Sequence, residues 1–384
     1  MLTNNIFLKS FLRKKSESKV KKKLKLLVKQ KNELFKSMSK DYIDSYNLKK
    51  IKKITKKNSI KLIGIGGSIL GSQAIYNFLR DKIKKNFYFI NNLEPFKIGK
   101  KSEKSSNIII SKSGNTLETI SNTSLYIKNF EKNIFIIEKK SSYLFKLANQ
   151  LKAEIIQHNN FIGGRYSVLS EVGMLPAELM GLNYKNFRQL NNLVKNKFFM
   201  RSLVSNVEAT IYFLKAKKFN SIIINYDEQS TNLFNWYQQL IAESLGKDKK
   251  GILPIISIMP KDNHSVMQLY LDGFKNNFFT FFYSHENNSA KINNGSVLFE
   301  QKYLKNKDIN QIMYAQKKAT EVVFKKKNIP FRSFEIRKRD EKTLGELFCF
   351  FILETILIGK VLKINPFDQP AVELIKKETK KILL

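Results

Sequence analysis

The amino-acid sequence predicts an α/β protein built from two parallel sheets, each flanked by helices. One observation is a series of short apolar runs, each followed by a turn and a stretch of helical spacing, at residues 60–65, 87–90, 108–110, 134–137 and 155–156. Buried strands of parallel sheets read as continuous apolar runs because helices cover both faces of the sheet. A second observation is that another such series follows a long helical stretch, at residues 221–225, 252–258 and 278–283.

The rest of the chain is predicted to be helical. Residues 1–58 are rich in lysine and carry apolar side chains at helical spacing, as in Leu24, Leu26, Leu27, Val28 and Leu34. Residues 183–217 form a helical connection between the two series of strands. We therefore expect a helical N-terminal segment at 1–58, a first α/β domain at 59–182, a second at 183–342, and a C-terminal helical tail at 343–384 that is interrupted at Asn365-Pro366.

The net charge is the most conspicuous bulk property of the chain. Its 384 residues include 69 Lys and Arg against 32 Asp and Glu, a formal charge of +37, while 42% are hydrophobic as in ordinary globular proteins. The basic residues are spread along the chain and lysine dominates, whereas direct readout of nucleic acids favours arginine. We therefore expect a general attraction for anions but no dedicated nucleic-acid function.

The small numbers of cysteines and histidines indicate the redox compartment and argue against some metal sites. Cys349 is the single cysteine, so the chain cannot form an internal disulfide, which fits a reducing compartment. Three dispersed histidines argue against a conventional zinc site. The first residues lack the order of a secretory signal, and the longest apolar run, 347–359, is too short to cross a bilayer.

Two turns that follow predicted strands are suited to binding an anion. Residues 64–71 are rich in glycine, which allows close backbone approach, and the helix that follows presents free N–H groups. The third glycine of the dinucleotide pattern would fall at Ile69, so that pattern is not present. Residues 111–119, SKSGNTLET, combine hydroxyls, a lysine and a glycine at a helix start, which predicts a phosphate-monoester site.

Two further segments carry groups suited to charge stabilisation and proton transfer. Gly163-Gly164-Arg165 places a guanidinium directly after two glycines, where it can stabilise a developing oxyanion. Residues 235–247, NWYQQLIAESLGK, predict an amphipathic helix with Gln239 and Glu243 one turn apart on one face. The Glu243 carboxylate is therefore a candidate for moving a proton.

His264 is the histidine with functional context. It lies in a polar turn before the helical stretch 266–271, where it can transfer protons near neutral pH. His158 and His285 are predicted to be structural or surface residues. Near the C-terminus, residues 367–376, FDQPAVELIK, predict a helix start with Asp368 or Gln369 as its cap and with Lys376 two turns in.

Together and in this order, these segments resemble the glucose-6-phosphate isomerase family, of the shorter bacterial type, over about residues 60–380. The resemblance implies two sugar-isomerase (SIS) domains, usually assembled as a homodimer in the cytoplasm. It also implies the reversible aldose–ketose isomerisation of glucose 6-phosphate and fructose 6-phosphate through a cis-enediol, in glycolysis and gluconeogenesis. Neither a metal nor an organic cofactor is expected.

The resemblance also implies roles for single residues. Glu243 would move the proton between C2 and C1, and Arg165 would stabilise the enediolate. His264, reaching in from the partner subunit, and Lys376 would assist ring opening. The expected substrate-binding residues are Gly67, Ser68, Ser111, Lys112, Ser113, Thr116, Gly164, Gln239 and Gln369. Ala371 replaces a glycine that is usual in the family, which can shift the start of that helix.

Two alternatives stay open at this point. A non-catalytic sugar-phosphate sensor on the same domains would need only the phosphate site, and the four catalytic candidates together argue against it. An isomerase for another sugar phosphate, such as an amino-sugar or mannose phosphate, would use much the same residues. A panel of sugar phosphates separates these possibilities.

Overall fold

Two five-stranded sheets organise the part of the chain described by the computed structural model, residues 1–11, 18–55, 59–95, 105–127, 132–285 and 289–384. The strands are β1 (Ile6–Lys9), β2 (Ser59–Ile63), β3 (Asn86–Ile90), β4 (Ser106–Ser111), β5 (Lys132–Ile137), β6 (Glu154–Gln157), β7 (Asn220–Asn225), β8 (Leu253–Ile258), β9 (Asn277–Ser284) and β10 (Phe331–Ile336). The predicted α/β class with parallel sheets is confirmed.

Helices alternate with these strands and cover the sheets. They are α1 (Ser18–Val28), α2 (Glu33–Ser37), α3 (Leu48–Ile54), α4 (Leu70–Phe78), α5 (Leu117–Tyr126), α6 (Tyr143–Gln150), α7 (Glu171–Leu179), α8 (Leu190–Leu193), α9 (Lys197–Lys215), α10 (Thr231–Leu245), α11 (Met267–Asp272), α12 (Ile309–Lys326), α13 (Glu341–Leu362) and α14 (Val372–Leu383). Within the described residues, no helix is long and apolar enough to span a membrane.

The two sheets share one order of connections. The first runs β3-β2-β4-β5-β6 and is parallel throughout; the second runs β1-β10-β9-β7-β8 and is parallel except for β1. In each, the first parallel strand along the chain (β2 or β7) lies between the second and the third. Ligands of open α/β sheets bind beyond the carboxyl ends of the strands at this switch point. In the first sheet, both predicted anion-binding turns therefore leave the sheet at the switch point.

The start of the N-terminal segment corrects the prediction that residues 1–58 are helical. Ile6–Lys9 is a strand, antiparallel to β10, with Ile6 opposite Ile336. Ile6 is fully buried whereas Phe7 is 37% exposed, which is the alternation expected of a strand. The prediction was wrong there because the helical spacing was read from the leucines further along, and four residues do not show a period by themselves.

Helix α13 carries much of the core. All its residues from Thr343 to Gly359 are buried, and it packs against α9 and α10. The carboxylate of Glu354 within it forms a buried ion pair with Arg332 of β10. The tail is helical and interrupted around Asn365-Pro366, as predicted, but only its last helix, α14, lies on the surface. That helix begins at Val372 without a side-chain cap, so the predicted cap at Asp368 or Gln369 is wrong. The division into four parts with boundaries at 58, 182 and 342 stays a prediction.

Packing between α4 and α10 joins the two sheets. Helix α4 follows the glycine-rich turn of the first sheet, and α10 carries Gln239 and Glu243 from the second. A Cβ atom on Gly66 would lie 2.7 Å from Gln239 Nε2, so this glycine lets the turn approach the helix closely. The carboxylate from one half is therefore brought beside the predicted anion-binding turn of the other.

Candidate active site

The glycine-rich turn packs directly on the segment that carries Arg165. Gly66 has φ of +56°, a left-handed conformation that favours glycine. A Cβ atom on Gly67 would lie 2.2 Å from the carbonyl carbon of Gly164 and 2.5 Å from the backbone nitrogen of Arg165. No side chain can enter this contact without moving the backbone. Ser68, the next residue, is partly exposed at the same turn.

Three hydroxyl groups converge in the turn between β4 and α5. Ser111 Oγ lies 3.1 Å from Thr116 Oγ1, and Ser113 Oγ lies 3.4 Å from the same atom. The backbone N–H of Gly114 donates to Ser111 Oγ at 3.1 Å, and Gly114 has φ of +65°. Hydroxyls and free N–H groups at a helix start match the oxygens of a phosphate monoester. We call residues 111–116 the phosphate turn.

The ammonium of Lys112 contacts other parts of the chain. It donates to the carbonyl oxygens of Asn160 at 2.8 Å and Ile162 at 3.0 Å, and it pairs with Glu138 Oε2 at 3.5 Å. Lys112, which was predicted to bind the substrate, is therefore bound to other groups of the protein.

Arg165 is buried and joins Glu243 to the C-terminal segment. Its Nη1 donates to Glu243 Oε2 at 3.2 Å and to Gln369 Oε1 at 2.7 Å. Its Nε donates to Ser244 Oγ at 2.9 Å. Its Nη2 donates to the carbonyl oxygens of residues 366 and 368, at 2.7 and 3.1 Å. An arginine has five N–H donors, so the guanidinium is held in one orientation.

Glu243 is fixed from two sides. Gln239 Nε2 donates to its Oε1 at 2.8 Å, while Arg165 binds the other carboxylate oxygen. The side chain of Glu243 is 32% exposed, so the carboxylate remains accessible. Gln239 Oε1 is buried and has no hydrogen-bond partner among the described residues. This arrangement presents an oriented base beside a fixed cation and an unpaired acceptor, which suits proton transfer with charge development.

The remaining two catalytic candidates lie on the surface. His264 is exposed at the end of a 3-10 turn, Lys261–His264. Lys376 is 64% exposed on α14 and binds Glu373 at 2.6 Å. In the described part of the chain, neither is hydrogen-bonded to Glu243. A single copy of the chain thus assembles the base and the arginine but does not add these two groups.

Of the other two histidines, which were expected to be structural or surface residues, His158 is buried and His285 is exposed. His158 is buried beside the loop that precedes Arg165, and burial lowers the pKa of its imidazole to about 4. His285 packs edge-on against Tyr283 and lies 3.6 Å from Glu335 Oε2.

Two residues of the site were not identified from the sequence. Ser244 accepts from Arg165, and its Oγ lies 2.8 Å from the hydroxyl of Tyr166, which also donates to the carbonyl of Pro366 at 2.9 Å. They hold Arg165 and the C-terminal segment together. Each directly follows a recognised residue, Arg165 or Glu243, and that adjacency was the one available signal.

The chain is similar to known proteins over most of its length. The family model described as "Phosphoglucose isomerase" matches residues 4–257. A glucose-6-phosphate isomerase of Methanocaldococcus jannaschii is 34% identical over 362 residues, which cover 88% of this chain and 87% of that protein. The crystal structure of a hypothetical protein from Thermus thermophilus has a TM-score of 0.83 at 21% identity, covering 95% and 94% of the two chains. A glucose-6-phosphate isomerase structure from Chlamydia trachomatis has a TM-score of 0.75 at 17% identity, covering 95% of this chain and 83% of that one. The chain belongs to the phosphoglucose isomerase family.

Proposed function

We propose that this protein interconverts glucose 6-phosphate and fructose 6-phosphate. The observation that carries the proposal is the contact between the Glu243 carboxylate and the buried Arg165 guanidinium, at 3.2 Å. The similarity to the archaeal glucose-6-phosphate isomerase over most of both chains supports the choice of substrate. On this basis the enzyme serves glycolysis and gluconeogenesis.

The isomerisation moves a proton from C2 to C1 of the open-chain sugar. Glu243 removes the C2 proton, the hydroxyl proton on O2 passes to O1 through the cis-enediol, and Glu243 returns the first proton at C1. The negative charge that develops on the sugar oxygens is offset by Arg165, whose orientation is already fixed by its other partners. A positioned base contributes roughly 10²- to 10⁴-fold to such a reaction. Proton transfers alone complete it, so it uses no cofactor.

The phosphate turn and its neighbours bind the substrate. The three converging hydroxyls take the phosphate oxygens, and the buried Oε1 of Gln239 accepts a hydrogen bond from a sugar hydroxyl. Gln369 is brought to the site through its hydrogen bond to Arg165. Of the residues expected from the sequence, the proposed binding residues are Gly67, Ser68, Ser111, Ser113, Thr116, Gly164, Gln239 and Gln369. Lys112, which was also expected, donates to two carbonyl oxygens of the protein instead.

Ring opening requires an acid and a base at the ring oxygen and at O1. We assign this step to Lys376 and to His264 from a second subunit of a homodimer. The exposed position of His264 supports this assignment, because an imidazole on the surface of one copy is available to another. A cytoplasmic location is supported by the single cysteine, Cys349, which is buried and free.

The two alternatives are not favoured. In a sugar-phosphate sensor, a carboxylate held between an amide and a buried guanidinium would serve no purpose. Burial of the guanidinium charge costs free energy, and binding of a sugar phosphate does not require it. An isomerase for a different sugar phosphate is less favoured because the similar proteins are glucose-6-phosphate isomerases.

The test is conversion of fructose 6-phosphate to glucose 6-phosphate in buffer containing a chelator. Wild-type protein is compared with Glu243→Gln, which keeps an acceptor for Gln239 but removes the base. We expect rapid turnover by the wild type and a loss of at least about 10²-fold in kcat for the variant. Turnover of mannose or amino-sugar phosphates in preference to fructose 6-phosphate would favour the second alternative. Binding of the sugar phosphate without turnover by the wild type would favour the sensor.

A further inference from the structure

We propose that Lys112 is a positioning residue, which holds the segment before Arg165 against the phosphate turn, and that its ammonium does not bind the substrate phosphate. The inference rests on the proposed function, because it concerns the same reaction. It replaces the substrate contact expected for this side chain by a contact within the protein.

The ammonium of Lys112 has three partners within the protein. An ammonium has three N–H donors and no acceptor. The carbonyl oxygens of Asn160 and Ile162, at 2.8 and 3.0 Å, accept two of these hydrogen bonds, and Glu138 Oε2 forms an ion pair with the ammonium at 3.5 Å. A phosphate at this ammonium would compete with two hydrogen-bonded carbonyls and with the paired carboxylate of Glu138. Binding by the neighbouring hydroxyls requires no such exchange.

These partners connect the phosphate turn to the segment that leads to Arg165. Lys112 stands between Ser111 and Ser113 of the phosphate turn, whereas residues 160 and 162 lead directly into Gly163-Gly164-Arg165. The backbone of Lys112 is itself held at the end of β5, since the N–H of Glu138 donates to its carbonyl at 3.1 Å. One side chain therefore links the group that holds the phosphate to the segment that carries the catalytic cation.

The ends of this segment have other anchors, so Lys112 acts on its middle. At the start, the N–H of Asn159 donates to Glu171 Oε1 at 2.6 Å, and Tyr42 donates to the other oxygen of Glu171 at 2.9 Å. At the end, Gly164 packs on Gly67. Removing the ammonium leaves these anchors in place. We therefore expect a local displacement of residues 160–165 and a folded protein.

A small displacement of Arg165 affects catalysis more than binding. A misplacement of about 1 Å in a catalytic group can cost roughly 10²-fold in rate. The side-chain hydroxyls of the phosphate turn are held by hydrogen bonds that do not involve the ammonium of Lys112. Loss of Lys112 is thus expected to lower kcat, while loss of a phosphate ligand would raise KM.

The experiment compares Lys112→Met with Lys140→Met, which removes an exposed charge from the turn after β5. For both we would measure kcat and KM for fructose 6-phosphate, the dissociation constant of inorganic phosphate by calorimetry, and amide hydrogen exchange. For Lys112→Met we expect kcat to fall about 10- to 100-fold, with KM and phosphate affinity within about threefold of wild type. Lys140→Met should resemble wild type. A tenfold loss of phosphate affinity in Lys112→Met with kcat unchanged would overturn the proposal.

Two further measurements show whether Lys112 acts through Arg165. In an Arg165→Lys background, Lys112→Met should add less than about threefold to the loss of kcat, because the group being positioned is already gone. An undiminished effect there would contradict the inference. If Lys112→Met does not fold, Glu138→Gln is used in its place. We expect its kcat to fall by about threefold, with KM and phosphate affinity near those of wild type. An unchanged kcat in that variant overturns the inference.

Hydrogen exchange keeps this test separate from the proposed function. Amides of residues 160–165 should exchange faster in Lys112→Met than in Lys140→Met, whether or not the protein turns over the sugar. A wild type without isomerase activity would refute the proposed function. Unchanged exchange in this segment would refute the positioning role.

Discussion

Arg165 and Glu243 form an ion pair between the two halves of the molecule, with Nη1 3.2 Å from Oε2. Arg165 follows the first sheet and Glu243 lies on α10 of the second, so their contact depends on the packing of α4 against α10. The guanidinium is 2% exposed and the carboxylate 32% exposed. The cation is therefore rigid and shielded, while the base can still reach a substrate.

Replacement of this guanidinium by an ammonium should remove most of the activity. Arg165→Lys keeps the charge but cannot satisfy five separate acceptors in a planar arrangement. We expect kcat to fall about 10²- to 10³-fold, the usual effect of losing a group that stabilises developing charge. Arg201→Lys, at an exposed position on α9, is the matched control. Steady-state kinetics of both variants test this, and a kcat for Arg165→Lys within threefold of wild type would contradict the assigned role.

The contact between Gly67 and Gly164 should not tolerate a methyl group. In Gly67→Ala the new Cβ would meet backbone atoms at 2.2 and 2.5 Å, so the two turns must separate. We expect a loss of about 1–3 kcal/mol in the free energy of unfolding and a fall of at least about tenfold in kcat. Gly163→Ala is the control, since its Cβ would meet only Tyr166 Cδ2 at 3.6 Å. Equal behaviour of the two variants would show that the contact is not critical.

Breaking the buried pair Arg332–Glu354 should destabilise the fold without changing substrate affinity. Both side chains are at most 3% exposed, and Glu354→Gln leaves a buried, uncompensated guanidinium. The expected loss is about 3–5 kcal/mol in the free energy of unfolding. Glu378→Gln breaks the exposed pair with Lys381 and should leave the melting temperature unchanged. Denaturant unfolding measures the free energy of unfolding of both variants. If Glu354→Gln loses no more of it than Glu378→Gln, the pair does not have this role.

His158 should make the fold sensitive to acid. Burial lowers the pKa of this imidazole from its ordinary value of 6.5 to about 4. Between these values the unfolded chain takes up a proton that the folded chain does not, so stability is lost as the pH falls from 6.5 towards 4. The contribution is about 3 kcal/mol over that range.

Urea unfolding at several pH values between about 4 and 7 measures this effect. His158→Gln should flatten the dependence of stability on pH, whereas His264→Gln, at an exposed position, should retain it. A wild-type slope that persists in His158→Gln would assign the acid sensitivity to other groups.

Mixing two inactive variants should restore activity if His264 acts across a dimer interface. In a mixed dimer of Glu243→Gln and His264→Ala, one site receives both wild-type residues and the other receives neither. We expect each variant alone to be nearly inactive, and the refolded mixture to regain activity that follows the fraction of mixed dimers. No recovery from a mixture shown by light scattering to be dimeric would mean that both residues come from one subunit.

The sequence by itself determined most of the helices and strands and the type of chemistry. The apolar runs, the glycine-rich turn after β2, the hydroxyls of the phosphate turn and the one-turn spacing of Gln239 and Glu243 are local features. Local spacing reports backbone conformation directly, because periods of two and of about 3.6 residues follow from strand and helix geometry. The recognised segments were sufficient to predict a sugar-phosphate isomerase.

Only the tertiary structure decided which distant groups meet. The strand Ile6–Lys9 exists because β10 offers it an edge, and four residues carry too little pattern to predict that. The sequence likewise did not indicate that Lys112 turns towards Ile162, or that Tyr166 and Ser244 together hold Arg165. Long side chains can reach several partners, and the choice depends on which atoms the packing of two sheets brings within about 3 Å. Spacing along the chain does not contain that information.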